Sequence, residues 1–194
     1  MLHYGEGGAW LNAEDLQLLE AFRRGEESAF TALVIKYREG IYRVARRLLG
    51  NHEDASDAAQ EVFIRAHRAL ARFDGRAQIY TWLYRITVNL CLDTRGRIAR
   101  MPLLDDGELL RDVPAPEGIA EQAEGREVGR VVARAVNALP PRQRAMVVLR
   151  LYQDLPYQEI ASIMGCSEGT VKATMFAALR KLRRTLTDAG VRAP

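Results

Sequence analysis

The chain has 194 residues, of which 48% are hydrophobic and 27% are charged, and its formal net charge is +3. These values are typical of a globular protein with one large or two small cores, and no apolar run reaches the roughly eighteen residues of a transmembrane helix. The N-terminus lacks the basic and then apolar pattern of a secretory signal, so we expect a cytoplasmic protein without membrane insertion.

The charge is distributed unevenly along the chain. Residues 1–100 carry a net charge of +2 and residues 140–194 a net charge of +5, whereas residues 101–124 carry −6. Basic blocks favour a polyanionic partner, and an acidic stretch requires a different environment. The sequence therefore indicates two basic units separated by an acidic connector.

Helical periodicity dominates the first hundred residues. Asn12 is predicted to cap the first helix, because Asp15 follows three residues later, and Gly25 is predicted to end it. Repeating apolar residues predict further helices, with a break at Asp74-Gly75. The four predicted helices span about 12–25, 30–50, 53–71 and 81–99. No alternation typical of strands is present, so residues 10–100 are predicted to form an all-helical domain.

The stretch MPLLDDGELLRDVPAPEG, which begins at residue 101, interrupts the helical pattern. It combines three prolines and two glycines with most of the acidic excess. Such a composition predicts a flexible linker, which we assign to residues 101–119. Because this linker offers no means of holding the flanking domains in one relation, we expect them to move independently.

Residues 120–187 are predicted to form a second helical domain, with Pro140-Pro141 at a helix start. Its last two helices, in YQEIASIMGCSEGTVKATMFAALRKLRR, flank a short break at GCS. Gly165 suits the corner, and Ser167 can cap the following helix. The predicted inward stripe of that helix consists of Val171, Met175, Ala178 and Leu182. This spacing is typical of a DNA-binding helix-turn-helix, although a plain helical hairpin can imitate it.

Nothing in the sequence suggests catalysis. His3, His52 and His67 lack the spacing of metal ligands, and no phosphate-binding glycine loop or nucleophile–base pair stands out. Cys91 and Cys166 are predicted to be a buried thiol and a turn thiol in a reducing compartment. We therefore expect a protein that is not an enzyme and that has no cofactor or metal.

Three motifs occur together in this chain. They are DAAQEVFIRAHRAL at residues 57–70, FDGRAQIYTWLYRITVNLCLD at residues 73–93, and the helix-turn-helix at residues 157–184. Their combination, from about Asp15 to Leu186, resembles the extracytoplasmic-function sigma factors of bacterial RNA polymerase. The resemblance implies an all-α protein of two helical domains that binds core RNA polymerase and directs transcription from particular promoters. Promoter DNA and an anti-sigma factor are the further partners that it implies.

The resemblance assigns the first motif to docking on the clamp helices of the polymerase's largest subunit. The polar residues expected to make this contact are Asp57, Gln60, Glu61 and Arg65. Val62 and Phe63 would pack inward, and a solvated helix face is the alternative interpretation. His67 departs from the family, in which an aromatic residue is usual, and we expect this change to affect packing more than docking.

The second motif resembles the region that recognises and opens the promoter minus-ten element. Opening requires a loop that accepts an extruded base, and polar or aromatic groups that hold unpaired bases. The residues expected in this role are Arg76, Gln78, Tyr80, Arg85, Asn89, Arg95 and Arg97. The amide of Asn89 is expected to pair with a base edge, whereas Trp82 is expected to belong to the core.

The helix-turn-helix resembles the domain that binds the minus-thirty-five element. The residues expected at the DNA are Ser167, Thr170, Lys172, Ala173, Thr174, Phe176, Arg180 and Lys181. Thr174 and Ala177 stand where the family often has arginine, and Phe176 stands where histidine is common. Because apolar groups can contact thymine methyls and the remaining basic groups can contact phosphates, we expect an altered preference rather than a lost one.

Other interpretations stay open at this point. A helix-turn-helix regulator that acts without polymerase explains residues 140–184 but leaves the resemblance of residues 57–93 to chance. A sigma-like mimic that titrates an anti-sigma factor would account for the low charge of the recognition helix. For the acidic linker, the family implies a path through the active-site cleft and the RNA exit channel, and a disordered tether is the alternative.

Overall fold

The computed structural model describes residues 12–98 and 123–190, which form eight α-helices and no strand. The helices are α1 (Ala13–Arg23), α2 (Glu27–Leu49), α3 (His52–Leu70), α4 (Ile79–Ile98), α5 (Ala123–Asn137), α6 (Pro141–Tyr152), α7 (Tyr157–Met164) and α8 (Glu168–Asp188). This architecture confirms the predicted fold class. The predicted linker and the first residues of the predicted C-terminal domain lie outside the described ranges. None of the helices in those ranges is both long and apolar enough to cross a membrane.

Side-chain caps define where three of the helices begin. Oδ1 of Asn12 accepts a hydrogen bond from the Asp15 amide at 2.7 Å, as the sequence predicted. Ser167 caps α8 in the same way, with Oγ 3.1 Å from the Thr170 amide. Asn51 caps α3, which the sequence analysis did not predict. Each such cap stabilises its helix by about 1 kcal/mol.

The N-terminal helices α1 to α4 enclose an apolar core, because each carries a stripe of apolar residues at helical spacing. Its buried side chains include Leu19, Leu33, Ile41, Val62, Leu70 and Leu83. Trp82 borders this core, with its ring centroid 5.1 Å from that of Phe73. The structural role expected for Trp82 is thereby confirmed.

A buried carboxylate links α1 to α2. Asp15 is completely buried and accepts hydrogen bonds from Tyr37 Oη at 2.5 Å and from Lys36 Nζ at 2.7 Å. Burial and the hydrogen bond to Asp15 raise the pKa of Tyr37 well above its ordinary value. A buried charge is tolerated only when it is paired in this way. The sequence analysis treated Asp15 only as part of a helix start and missed this contact.

The C-terminal helices form the predicted helix-turn-helix. Pro141 is the first residue of α6, in agreement with the predicted start. Gly165 has φ of 62°, the left-handed conformation that glycine adopts at low cost, and it ends α7. The inward stripe predicted for α8 is buried as expected: Val171, Met175, Ala178 and Leu182.

The two groups of helices share one continuous core. Val44 and Leu48 of α2 and Val88 of α4 belong to the same buried cluster as Leu149 of α6 and Ile160 of α7. Burial of apolar surface between the groups stabilises their contact by about 25 cal/mol per Å². The expectation of independently moving domains therefore does not hold in this structure, because the helices themselves supply the contact that a linker could not.

Buried arginines reinforce the contact between α2 and α6. The Arg47 guanidinium lies 3.9 Å from the centroid of the Tyr152 ring, a favourable cation–π geometry. Arg144 Nη1 donates to the carbonyl oxygen of Leu48 at 3.4 Å, and Arg144 Nη2 donates to that of Leu139 at 3.3 Å. The last carbonyls of a helix have no partner within the helix, and Arg144 is one of two arginines, with Arg95, that donate to the Leu48 carbonyl at the end of α2.

Candidate nucleic-acid interface

The polar face of α3 is formed by the residues predicted to dock on polymerase. Asp57, Gln60 and Arg65 are exposed, and Glu61 is half-buried. Nε of Arg65 lies 2.7 Å from Oε1 of Glu61, one helical turn away. Because residues three or four apart share one side of a helix, Asp57, Gln60 and Glu61 form a continuous surface. The structure thus brings the predicted docking residues together on one accessible face.

An apolar groove of about 440 Å³ adjoins this face between α2 and α3. The lining side chains include Phe30, Val34, Gln60, Phe63 and Ile64. Val62 is fully buried, as predicted, whereas Phe63 is only half-buried and forms part of the groove wall. The polar docking face therefore has an apolar border that the sequence analysis did not anticipate.

His67 also lines this groove. Its ring makes edge contacts with Phe30 at 4.8 Å and with Phe22 at 5.3 Å between centroids. Its Nε2 lies 3.0 Å from Oε2 of Glu27. The imidazole thus takes an aromatic packing position, in keeping with the expected effect of this substitution on packing.

The loop before α4 presents the first of the predicted minus-ten residues. Gly75 has φ of 73°, and the Arg76 amide donates to Oδ1 of Asp74 at 3.1 Å. The side chain of Arg76 is 89% exposed, and its Nε lies 3.3 Å from Oδ2 of Asp74. Gln78 is half-buried next to the start of α4. An exposed guanidinium on a glycine-containing turn is available to a polyanion.

Helix α4 carries the other predicted minus-ten residues, and their surroundings differ. Asn89 is exposed. Arg95 is half-buried and donates to the carbonyl oxygen of Leu48 at 2.8 Å, and burial lowers its pKa. Arg97 belongs to α4, but its side chain lies outside the described part. Arg95 therefore acts within the fold, where it holds the end of α2, rather than on the side of α4 that faces outward.

The remaining two predicted minus-ten residues, Tyr80 and Arg85, contact the C-terminal helices. Tyr80 donates its hydroxyl proton to the carboxylate of Glu159 in α7. Arg85 Nη2 donates to the carbonyl oxygen of Ser162 at 2.7 Å and lies 3.1 Å from its hydroxyl. The Thr81 hydroxyl lies 3.5 Å from the same Glu159 carboxylate. One side of α4 is thus engaged by the first helix of the helix-turn-helix.

A fourth side chain of α4 extends the contact with the C-terminal helices. Tyr84 Oη donates to Oε1 of Gln153 at 2.6 Å, and burial raises the pKa of Tyr84 to about 12. Gly40 of α2 makes room for that hydroxyl, because a Cβ at this position would lie 2.7 Å from it. Gln153, Glu159 and Gly40 were all missed at the sequence level. A glycine inside a long helix was the one available signal, since such a glycine often marks a close approach.

The outward face of α8 holds most of the residues predicted to meet minus-thirty-five DNA. Ser167 and Thr170 lie at its N-terminus, with their hydroxyl oxygens 2.9 Å apart. Lys172 pairs with Glu168 at 2.7 Å, and its hydrogen bond to that carboxylate raises its pKa. Phe176 is 72% exposed. The outward residues at helical spacing are Gly169, Lys172, Ala173, Phe176, Leu179, Arg180 and Arg183, while Thr174 is half-buried.

The two basic residues predicted for phosphate contact differ in their surroundings. Arg180 lies on the outward face and is exposed. Lys181 is exposed as well, but its Nζ donates to the carbonyl oxygen of Ala138 at 3.2 Å, beyond the end of α5. Lys181 therefore helps to attach α8 to the preceding helix, and Arg180 is the freer of the two cations.

No other site chemistry is evident in the described ranges. They contain no group of three or more histidine, cysteine or acidic side chains arranged to hold a metal ion. Cys91 is buried and Cys166 is half-exposed at the turn before α8, as the sequence predicted for each. Burial raises the pKa of the Cys91 thiol to about 12, so it is a poor nucleophile.

Two family descriptions match the chain. Sigma-70 region 2 matches residues 33–101, and sigma-70 region 4 matches residues 130–182. The RNA polymerase sigma-H factor of Pseudomonas aeruginosa is 36% identical over 186 residues, covering 89% of this chain and 94% of that protein. The ECF RNA polymerase sigma-E factor of Escherichia coli K12 is 34% identical over 175 residues, covering 84% of this chain and 90% of that protein.

Solved structures with the same fold include two complexes. CnrH, bound to the cytosolic domain of CnrY, has a TM-score of 0.69 and 25% identity and covers 91% of this chain and 99% of its own. The sigma factor RpoE of Bartonella quintana, bound to the anti-sigma factor NepR, has a TM-score of 0.61 and 21% identity, with coverage of 81% and 96%. At this level of identity the second likeness concerns the fold alone.

Proposed function

The chain belongs to the extracytoplasmic-function sigma factors of bacterial RNA polymerase, and we propose how its surfaces divide the work of promoter recognition. As a sigma factor it directs polymerase to promoters. Residues 10–100 would dock on core polymerase and open the minus-ten element, and residues 120–187 would bind the minus-thirty-five element. The acidic stretch between them would follow the polymerase cleft.

Docking on polymerase would use the polar face of α3. Asp57, Gln60 and Glu61 offer carboxylate and amide groups on one accessible side, and the groove beside them offers apolar surface. Interfaces generally combine an apolar centre with a polar rim, and this face has both parts. The proposal for the docking site rests on that combination.

Recognition of the opened minus-ten strand would use the loop at Arg76 and the following helix. Tyr80 supplies an aromatic ring for stacking, and Arg85 and Asn89 lie about one and a half and two and a half turns further along α4. The amide of Asn89 is exposed and can form two hydrogen bonds with a base edge. Arg95 would contribute indirectly, since it anchors α4 to the end of α2.

Recognition of minus-thirty-five duplex would use the outward face of α8. The exposed ring of Phe176 can contact a thymine methyl group, and Arg180 can contact phosphate. Ser167 and Thr170 lie at a helix N-terminus, where backbone amides favour an anion such as a phosphate. Few base contacts and several phosphate contacts would then give a preference different from that of an arginine-rich recognition helix.

Two further aspects follow from family membership. The chain would act in the cytoplasm, where core polymerase and promoters are found, and it would not act as an enzyme by itself. An anti-sigma factor would restrain it, since CnrH, which shares its fold over 91% of this chain, is solved together with the cytosolic domain of a second protein. Co-purification from the native host would identify such a partner.

The observation that supports this proposal is that polar or aromatic side chains are exposed on three different elements, with Gln60 on α3, Asn89 on α4 and Phe176 on α8. Transcription in vitro with purified core polymerase and genomic DNA fragments tests it, with sequencing of the 5′ ends of the transcripts. New start sites that share two spaced promoter elements are the expected result. A chain that binds polymerase but yields no new start sites would favour the mimic, and one that binds DNA without polymerase would favour a stand-alone regulator.

The docking face has its own test within the same assay. Replacement of Asp57, Gln60 and Glu61 by alanine should weaken binding to core polymerase and reduce the new start sites together, while the fold stays intact. The matched control replaces Gln17 and Glu20, which are exposed polar residues on α1, and should change neither. Equal binding by the two variants would remove the docking assignment.

A further inference from the structure

Helix α8 carries an acidic side chain among the residues proposed to meet duplex DNA. Glu168 is the first residue of α8 and directly follows the Ser167 cap. Its side chain is 46% exposed, and its Oε1 lies 2.7 Å from Nζ of Lys172, about one turn further along the helix. In a helix-turn-helix, the N-terminal residues of the second helix are the ones that contact base edges. Glu168 and Lys172 therefore lie where base edges are read.

A carboxylate opposes non-specific DNA binding at this position. It repels phosphates, and it can only accept hydrogen bonds. The hydrogen bond to Glu168 raises the pKa of Lys172, so the lysine stays charged at neutral pH. Glu168 can thus gain a partner from DNA only where a base presents an amino group to the major groove.

The four bases differ in what they offer to such a carboxylate. Cytosine presents the N4 amino group alone, adenine presents N6 beside the acceptor N7, and guanine and thymine present acceptor oxygens. A carboxylate therefore fits cytosine. In a G·C pair the cytosine amino group lies next to O6 and N7 of guanine, and these two acceptors fit the ammonium group of a lysine.

The ion pair has the dimensions of this pattern. Nζ of Lys172 and Oε1 of Glu168 are 2.7 Å apart, and the hydrogen-bonded O6 and N4 atoms of a G·C pair are about 2.9 Å apart. An ammonium and a carboxylate held at this separation can contact both atoms of one base pair. Because each side chain already holds the other, less rotamer freedom is lost when they bind.

We propose that Glu168 and Lys172 act as one unit that reads a single G·C base pair in the minus-thirty-five duplex. Lys172 donates to O6 and N7 of guanine, and Glu168 accepts from N4 of cytosine. The reversed pair, C·G, presents these groups in the opposite order and is disfavoured. The inference rests on the minus-thirty-five role proposed above for α8. It adds Glu168 to the residues that determine promoter preference, and it names the base pair.

The experiment uses polymerase reconstituted with the full-length chain. The probe is a duplex library in which the minus-thirty-five segment of a promoter found by the transcription assay is randomised. Bound DNA is separated by gel shift and sequenced. We expect one position with a preference for G·C of about fivefold or more, the lower end of what a bidentate base contact provides. Glu168→Ala should lose the preference at this position and keep those at the others.

A modified base removes the cytosine donor without changing the base pairing. N4-Methylcytosine still pairs with guanine, but a methyl group replaces the amino hydrogen that points into the major groove. In the selected duplex this base should weaken binding of the unchanged chain by about threefold or more, because one hydrogen bond is lost. Binding by Glu168→Ala should be unaffected.

Two variants separate base reading from a role in helix stability. Asp188→Ala removes a carboxylate from the corresponding pair with Arg184 at the other end of α8, and it should leave every base preference unchanged. The exchange Glu168→Lys/Lys172→Glu keeps an ion pair but reverses the order of donor and acceptor. It should therefore favour C·G over G·C at the same position.

The proposal is overturned if no position prefers G·C, if Glu168→Ala keeps that preference, or if N4-methylcytosine weakens both chains equally. A preference for G·C that survives the exchange of the two residues would also overturn it. The minus-thirty-five role of α8 fails separately, since it requires that Arg180→Ala weakens binding to the same library.

Discussion

The hydroxyl of Tyr84 in α4 lies 2.6 Å from Oε1 of Gln153, which follows α6, and joins the N-terminal helices to the C-terminal ones. Both partners are largely withdrawn from water, so the hydrogen bond is protected from competition. The same hydroxyl occupies the space over Gly40 that any larger residue would fill. Three segments that are distant in sequence thus meet at the Tyr84 hydroxyl oxygen. The contact between the N-terminal and the C-terminal helices therefore depends on each of them.

Gly40→Ala should weaken the contact between the N-terminal and the C-terminal helices. Alanine favours a helix interior over glycine by about 1 kcal/mol, but its Cβ would lie 2.7 Å from Tyr84 Oη, which is too close. The rigid, buried phenol has to move and its bond to Gln153 weakens. We expect faster hydrogen exchange in α4 and no rise in melting temperature. Gly169→Ala is the control, since its Cβ would meet only Ser167 Oγ at 3.8 Å. A melting temperature for Gly40→Ala above that of the control would contradict the expectation.

The raised pKa of Tyr84 predicts that the folded chain loses stability at alkaline pH. Because burial raises its pKa from 10.0 to about 12, the native chain keeps the phenolic proton at pH values where the unfolded chain has released it. Stability due to this group is therefore complete below pH 10 and is lost as the pH rises toward 12. Urea unfolding at several pH values in this window should show the decline, with a smaller slope in Tyr84→Phe. Tyr37 and Cys91, whose pKa values are also raised by burial, are among the groups that contribute the remaining slope in both chains.

The two cysteines should differ strongly in reactivity. Cys91 is buried with its pKa raised to about 12, so almost no thiolate is available to a thiol reagent in the native chain. Cys166 is half-exposed at the turn before α8. Titration with a chromogenic disulfide reagent should label one thiol quickly and the second only after denaturation. The fast phase should vanish in Cys166→Ser. Persistence of a fast phase in that variant would mean that the packing around Cys91 opens readily.

The substitutions Arg180→Ala and Lys181→Ala should differ in how much they weaken duplex binding and how much they lower stability. Arg180→Ala removes an outward cation and should weaken binding to duplex, with a salt slope smaller by about one. Lys181→Ala removes the hydrogen bond to the Ala138 carbonyl at 3.2 Å, so it should lower the melting temperature more and the salt slope less. Anisotropy titrations over a salt series, together with thermal melts, provide both readouts. Equal salt slopes for the two variants would show that Lys181 also reaches phosphate.

Local features of this protein were predictable from the sequence. The apolar stripe of α8, the Ser167 cap and the Gly165 corner depend on residues a few positions apart, and helical periodicity reveals such relations directly. The exposed face of α3 and the structural placement of Trp82 follow from the same periodicity. The predicted site residues could therefore be placed on individual helices before any tertiary contact was known.

Only the tertiary structure determined what those helices meet. Tyr80 and Glu159 are 79 positions apart, and no local pattern marks them as partners. The covering of α4 by α7, the burial of Asp15 and the attachment of Lys181 to Ala138 all depend on how whole helices pack. A helix pattern states which side is apolar, but several partners can cover an apolar side equally well. Which partner covers an apolar side depends on the fit between surfaces that are distant in sequence. For this reason the sequence indicated two separate domains, whereas in the structure their helices share one core.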